Sequence, residues 1–234
     1  MKYFLVIDTS KLQSRVGLKC DAEVLECSST QRKHASQEIL CLIRNVIDEA
    51  GVSISHLDGI GVVTGPGSFT GVRIGVAAAQ GLSASAGVPL IGVSTMALEA
   101  KAASSVMGDG FYLVCHPAKP GEVYMGAYQC EAGKPRLVCE EFLLTLVAQD
   151  LSIPSIIKNK EWIGVGDGWA ELAKIEKIEK AFGLKFKGEP IQNETSIEDL
   201  LNLCIYEFQF TAKVNPYSVL PNYIKEPDYS TVNT

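Results

Sequence analysis

The sequence predicts an α/β protein built on mixed sheets with flanking helices, and three observations carry that prediction. Short apolar, β-branched runs alternate with stretches of helical period. The first three runs follow one another across polar turns, as in an antiparallel meander. Each later run in the first hundred residues is separated from the next by a helix, as parallel strands require. With 234 residues the chain makes one large domain or two small ones, and 47% apolar and 21% charged residues suit a core that forms without disulfides or metal.

Tyr3 to Ile7 is a strand by its continuous apolar content, ended by the polar turn Asp8-Thr9-Ser10. Val16 to Lys19 and Val24 to Cys27 complete the meander around Cys20-Asp21. Ile39, Leu42, Ile43, Val46, Ile47 and Ala50 then fall on one helical face, with Ser36 as N-cap and Gly51 as stop. Ile60 to Thr64 is a strand running into the loop Gly65-Pro-Gly-Ser-Phe-Thr-Gly71, and a helix follows from Val72 to Ala86. Leu90 to Val93 and Thr95 to Met107 read as a strand and a helix of small residues. A boundary near Met107 divides residues 1–107 from residues 108–234. The second part should hold strands at Phe111 to Cys115, Glu122 to Cys130, Arg136 to Glu141 and Trp162 to Val165. A helix from Ala170 to Phe182, exposing Glu176 and Lys180, comes next. Past Asn215, Pro216, Pro221 and Pro227 forbid a helix and predict an extended segment. No internal repeat is obvious, although the second half is a candidate degraded copy of the first.

Several function classes drop out. The smoothest stretch, Ile74 to Ser94, is interrupted by Gln80, serines, glycines and Pro89, so no membrane span is expected. The apolar run at Tyr3 ends at Asp8, too soon for a secretory signal. A formal charge of −6, from 21 basic and 27 acidic side chains, argues against an independent grip on nucleic acid. Seven scattered cysteines without a Cys-x-x-Cys pair read as reduced thiols of a cytoplasmic protein. His34, His56 and His116 are far apart, and His34 with Glu38 supplies only two ligands. No Gly-x-Ser-x-Gly elbow or cysteine active-site motif is present.

Two segments remain as candidate sites. The glycine-rich loop ahead of the second helix, with Arg73, could cradle an anion, but it matches neither a Walker loop nor the dinucleotide fingerprint. A turn capped by Ser68 or Thr70 is the simpler reading. Within the helix, Gly71, Gly75, Ala79 and Ser83 repeat every four residues, and Ala78, Gly81 and Ser85 line an adjacent stripe. Glycine in a helix costs about 1 kcal/mol relative to alanine, so something must approach closely: the chain's own sheet, a partner's helix, or both on different faces. Asp8-Thr9-Ser10 stands where actin- and hexokinase-like ATPases bind phosphate and magnesium. The second loop such a site needs has only Gly164-Val-Gly-Asp-Gly168, with one carboxylate and the bulky Trp169 behind it.

Gly65-Pro-Gly-Ser-Phe-Thr-Gly-Val-Arg-Ile-Gly75 together with Leu5-Val-Ile-Asp-Thr-Ser10 resembles the TsaB (YeaZ) family. His34 with Ser36, Ile39 and Leu40, then Glu122-Val-Tyr124 and Pro221-Asn-Tyr-Ile-Lys225, extend the likeness over nearly the whole chain. The resemblance implies two RNase H-like subdomains of the actin/hexokinase-like (ASKHA) superfamily. It implies a non-catalytic subunit, required for threonylcarbamoyl modification of the adenosine next to the tRNA anticodon, that pairs with the TsaD transferase and the ATPase TsaE. ATP and metal are then expected on the partner subunits, tRNA through the complex, and a homodimer when the chain is alone. The implied docking surface is the first two helices, at Ile39, Leu42, Ile43, Val46, Gly71, Arg73, Gly75, Ala78, Ala79 and Leu82, so Gly75→Leu and Ala79→Arg are expected to weaken TsaD binding. The alternative is an ATP-binding actin/hexokinase-type ATPase or kinase using Asp8, Thr9 and Ser10. The chain departs from the family at Pro117-Ala118-Lys119, where relatives have Asp-Ala-Arg, and at Cys41, where relatives often have proline. Lysine cannot reproduce the bidentate geometry of arginine.

Overall fold

The computed structural model describes residues 1–29, 35–146, 153–171, 179, 183–210 and 215–224. Its first sheet has the order β3-β2-β1-β4-β5, from β1 (Tyr3–Asp8), β2 (Arg15–Cys20), β3 (Glu23–Ser28), β4 (Gly59–Val63) and β5 (Leu90–Val93). The central β1 is antiparallel to β2 and parallel to β4. Both faces of β1 are buried, which is why it reads as an unbroken apolar run. Leu5 and Ile7 point into one core with α1 (Ala35–Ala50) and α2 (Phe69–Ala86). Phe4 and Val6 point into another with α4 (Ile197–Phe208).

The second sheet repeats the plan. Its strands are β6 (Gly110–Pro117), β7 (Glu122–Glu131), β8 (Lys134–Leu137), β10 (Glu161–Val165) and β11 (Lys185–Phe186) in the order β8-β7-β6-β10-β11, with β9 (Phe142–Thr145) also on β7. Here β6 is central, antiparallel to β7 and parallel to β10, as β1 is to β2 and β4. The two sheets therefore share one strand topology. Between the sheets lies α3 (Thr95–Met107), whose Leu98 joins the core under the first sheet while Met96, Ala100 and Ala103 meet Tyr112, Tyr128 and Val165 of the second. Small residues let it approach both.

Three expectations need correction. The first helix begins at Ala35, so Ser36 lies inside its first turn and is not its cap, whereas Gly51 at φ +64° does close it. The second helix starts three residues before Val72, at Phe69, because Ser68 Oγ accepts the Gly71 N–H at 3.2 Å and acts as N-cap. Arg136 to Glu141 is not one strand: β8 and β9 lie on either side of a break, and the ten-residue β7 pairs with both. The break places Glu141 where Tyr128 Oη, Ser94 Oγ and Asn222 Nδ2 all donate to its carboxylate. Helical residues expected at 172–178 and 180–182, with Glu176 and Lys180, lie outside the described residues, as does His34. In the proline-rich stretch a short 3-10 turn at Pro216–Ser218 is followed by residues 219–224 outside helix and strand, with the Asn222 N–H donating to Thr64 O at 2.7 Å; Pro227 lies outside the described residues.

Helix α4, unforeseen above, is tied to the first sheet although it follows the second in sequence. A reciprocal capping box of Ser196 and Asp199 starts it, and Leu200, Leu203 and Cys204 seat it under Phe4 and Val6. Leu200→Ala should lower unfolding free energy by about 2–5 kcal/mol in denaturant titration, since it empties a fully buried site. A loss below about 0.5 kcal/mol would show that α4 is not integral to that core.

Candidate functional site

The small-residue stripe of α2 meets the chain's own first strand. At Gly71 an added Cβ would overlap the Thr9 carbonyl oxygen, and at Gly75 it would overlap Thr9 Oγ1. Thr9 Oγ1 donates to Gly71 O at 2.8 Å across that contact. Ala79 is fully buried, and Ser83 Oγ donates to Val88 O. Ile39, Leu42, Ile43 and Val46 of α1 are also interior, Ile39 at 1% exposure. Gly71, Gly75, Ala79 and these four apolar residues are therefore not surface groups: an amphipathic helix gives its strongest stripe to its own sheet first. Arg73, Ala78 and Leu82 are half-buried and border the outer face.

That outer face is a different line of α2. Thr70, Ala77, Gly81, Ala84 and Ser85 are exposed, with Ile74 half-buried among them. A Cβ added at Gly81 would meet nothing within 4 Å. The only charge on α2 is Arg73, at one end, where its guanidinium stacks 3.3 Å from the Phe69 ring centroid and Nε donates to Tyr223 Oη at 3.0 Å. Alongside, α1 packs on α2 and exposes Leu40 (58%), Cys41 and Arg44. The outer face of α2 is smooth and carries one charge, whereas α1 also exposes Asn45, Asp48 and Glu49, with Arg44 paired to Asp48.

The turn after β1 is closed on itself. Asp8 is fully buried: Oδ2 accepts Arg15 Nη2 at 2.7 Å, and Oδ1 accepts the Ser10 N–H and Oγ–H at 3.0 and 2.6 Å. Arg15 is itself held by Thr195 O and Oγ1. Ser68 N–H donates to Ser10 O at 2.7 Å, and a side chain at Gly67 would overlap that oxygen. ASKHA nucleotide sites hold phosphate and magnesium at this turn, but here the carboxylate is neutralised by Arg15 and Thr9 is engaged by Gly71. Asp8, Thr9 and Ser10 do not fit that group. Among the described residues no cluster of three or more His, Cys, Asp or Glu side chains is placed to hold a metal, and no helix is long and apolar enough to cross a membrane. Facing the glycine-rich loop is a cavity of about 220 Å³ lined also by Arg73, Lys119, Tyr124 and Tyr223. Lys119, where the family pattern has arginine, thus sits beside the motif, a proximity its sequence distance concealed.

Gly75→Leu tests the fold and not a docking surface. Overpacking against Thr9 should cost about 1–3 kcal/mol or prevent folding, and thermal melting reads it directly. An unchanged melting temperature would mean that α2 does not sit on Thr9 as described.

The sequence model of the TsaD family, described as tRNA N6-adenosine threonylcarbamoyltransferase, matches residues 28–232. Two similar proteins are each named tRNA threonylcarbamoyladenosine biosynthesis protein TsaB. That of Escherichia coli (strain K12) is 33% identical over 177 residues, 70% of this chain and 71% of that protein. That of Buchnera aphidicola subsp. Schizaphis graminum is 32% identical over 188 residues, 80% of this chain and 86% of that protein. The solved structure of YeaZ from Pseudomonas aeruginosa superposes with a TM-score of 0.75 at 30% identity, covering 95% of this chain and 100% of that one. With sequence likeness over most of both chains and two RNase H-like lobes of the ASKHA fold in common, the chain belongs to the TsaB (YeaZ) family.

Proposed function

We propose that this chain acts in tRNA threonylcarbamoyladenosine biosynthesis as a non-catalytic subunit that docks on the TsaD transferase through the outer faces of α1 and α2. The observation that carries the reading is Gly81. It stands in mid-helix at an exposed position, with no atom near enough to require the absence of a side chain. Its cost of about 1 kcal/mol relative to alanine has no offset among the described residues. A close-packed partner helix on the line Thr70, Ile74, Ala77, Gly81 and Ala84 supplies one. Two further observations support the choice of partner. The relatives carry the biosynthetic name, and the family model that matches this chain is that of the transferase. Chains of one fold can pair through equivalent helices in a pseudo-two-fold arrangement, so the same face would close a homodimer when TsaD is absent.

In this reading ATP and metal belong to TsaD and TsaE, in keeping with an Asp8 already neutralised by Arg15. TsaE and tRNA are engaged through the cytoplasmic complex, since a chain of formal charge −6 offers little grip on phosphates by itself.

Gly81→Arg and Ala77→Arg should each reduce TsaD affinity at least about tenfold, roughly 1.4 kcal/mol, while the melting temperature stays near that of the unaltered protein. Calorimetry and light scattering read the two effects, and the lone chain should shift from dimer to monomer. Binding at full strength by both variants would remove this face as the docking surface.

A further inference from the structure

The cleft between the two sheets holds a buried row of charges. Lys11 Nζ, on the turn after β1, lies 3.2 Å from Glu99 Oε1 of α3. Glu99 Oε2 lies 2.9 Å from Nε2 of His116, at the end of β6, an ion pair without hydrogen-bond alignment. Beyond it, His116 Nδ1 is 3.7 Å from Asp167 Oδ1, in the turn after β10. Only the outer members reach solvent appreciably: the Glu99 and His116 side chains are 5% and 14% exposed, against 42% for Lys11 and 62% for Asp167. The turn carrying Asp167 presses on β6, because a Cβ at Gly168 would crowd the His116 backbone at 2.7 Å.

We propose that Lys11, Glu99 and His116 form a proton-gated latch that ties the turn after β1 to the end of β6 and so sets the closure of the two halves. The topology gives the latch its leverage. β1 and β6 are the equivalent central strands of the repeated sheets, and their ends meet across Glu99. With His116 protonated, two cations and two anions alternate along the row. Without that proton, the buried carboxylate keeps a half-exposed lysine as its one cationic neighbour among the described residues. Breaking one partner of a buried pair leaves an uncompensated charge, and separation of the halves relieves it by admitting water.

The charged groups facing His116 are Glu99 from α3, Asp167 from the turn after β10 and Lys11 from the turn after β1. Burial alone would lower the proton affinity of His116, but Glu99 and then Asp167 outweigh it and raise the value. Burial alone would raise the Glu99 carboxyl, but His116 and then Lys11 outweigh that and hold it low. The histidine's contribution to stability is complete below about pH 6.5 and fades as pH rises through its raised value. The Glu99 contribution is present above the ordinary carboxylate value, about 4.3, and fades as pH falls through the lowered one. The latch is therefore shut in mildly acid solution and loosens as pH rises through the raised value of His116.

Proton NMR of the full chain should find His116 titrating above its ordinary value of about 6.5, with Glu99→Gln bringing it down. Amide exchange at Lys11 to Gln13 and at Ala118 to Glu122, corrected for intrinsic rate, should rise together about tenfold as pH climbs through that titration. In His116→Gln both segments should show the fast rate throughout. Titration of His116 at or below about 6.5, indifference to Glu99→Gln, or exchange in the two segments independent of its protonation would overturn the proposal. Should His116→Gln fail to fold, the unaltered protein and Glu99→Gln still decide it.

Discussion

The organisation of the first lobe depends on the seat of α2 on Thr9. Two glycines, at positions 71 and 75, bring the helix so close to the end of β1 that the Thr9 hydroxyl donates directly to a helix carbonyl. This contact chooses the inward face of α2. Everything else on that helix follows geometrically, since a 3.6-residue repeat that buries Gly75, Val76 and Ala79 must turn Ala77, Gly81 and Ala84 outward. The same contact ties the turn after β1 to the glycine-rich loop. Thr9 and Ser10 are spent on holding the glycine-rich loop, and Asp8 is held by Arg15. A tied-down turn after β1 and a smooth outward helix face accompany one packing contact.

The repeated sheet order carries a second consequence. In each lobe the central strand ends at the cleft, and each end is occupied by the chain's own side chains: Asp8 with Arg15 in one, His116 with Glu99 in the other. The C-terminal residues reinforce the join. Helix α4 returns to the first sheet after the second is complete, and Asn222 reaches both Thr64 of the first lobe and Glu141 of the second.

Much of the fold was legible because β1 and β4 are buried on both faces, and β5 at all but Gly92, so that they appear as apolar runs. Leu90 to Val93 and Thr95 to Met107 match their observed elements end to end. The orientation of α2 was not legible. Glycine, alanine and serine populate both its inner and outer lines, so periodicity supplied two stripes with little hydrophobic contrast between them. For α1 the contrast was strong, and it identified a core-facing stripe, which the docking expectation then placed on the surface. Helix α4 left a readable signal in Ser196, Asp199 and the spacing of Ile197, Leu200, Leu201 and Cys204. The Lys11, Glu99, His116 and Asp167 row left none, because only tertiary folding joins positions so distant in sequence.

Thiol accessibility of single substitutions on α2 addresses the outward line most directly. The thiol introduced by Ala77→Cys should react rapidly with a maleimide in the free, concentration-diluted chain and become protected when TsaD is saturating. The thiol introduced by Ala79→Cys should stay unreactive in both states, read at the level of individual peptides. Equal labelling of Ala77→Cys with and without bound TsaD would contradict the account.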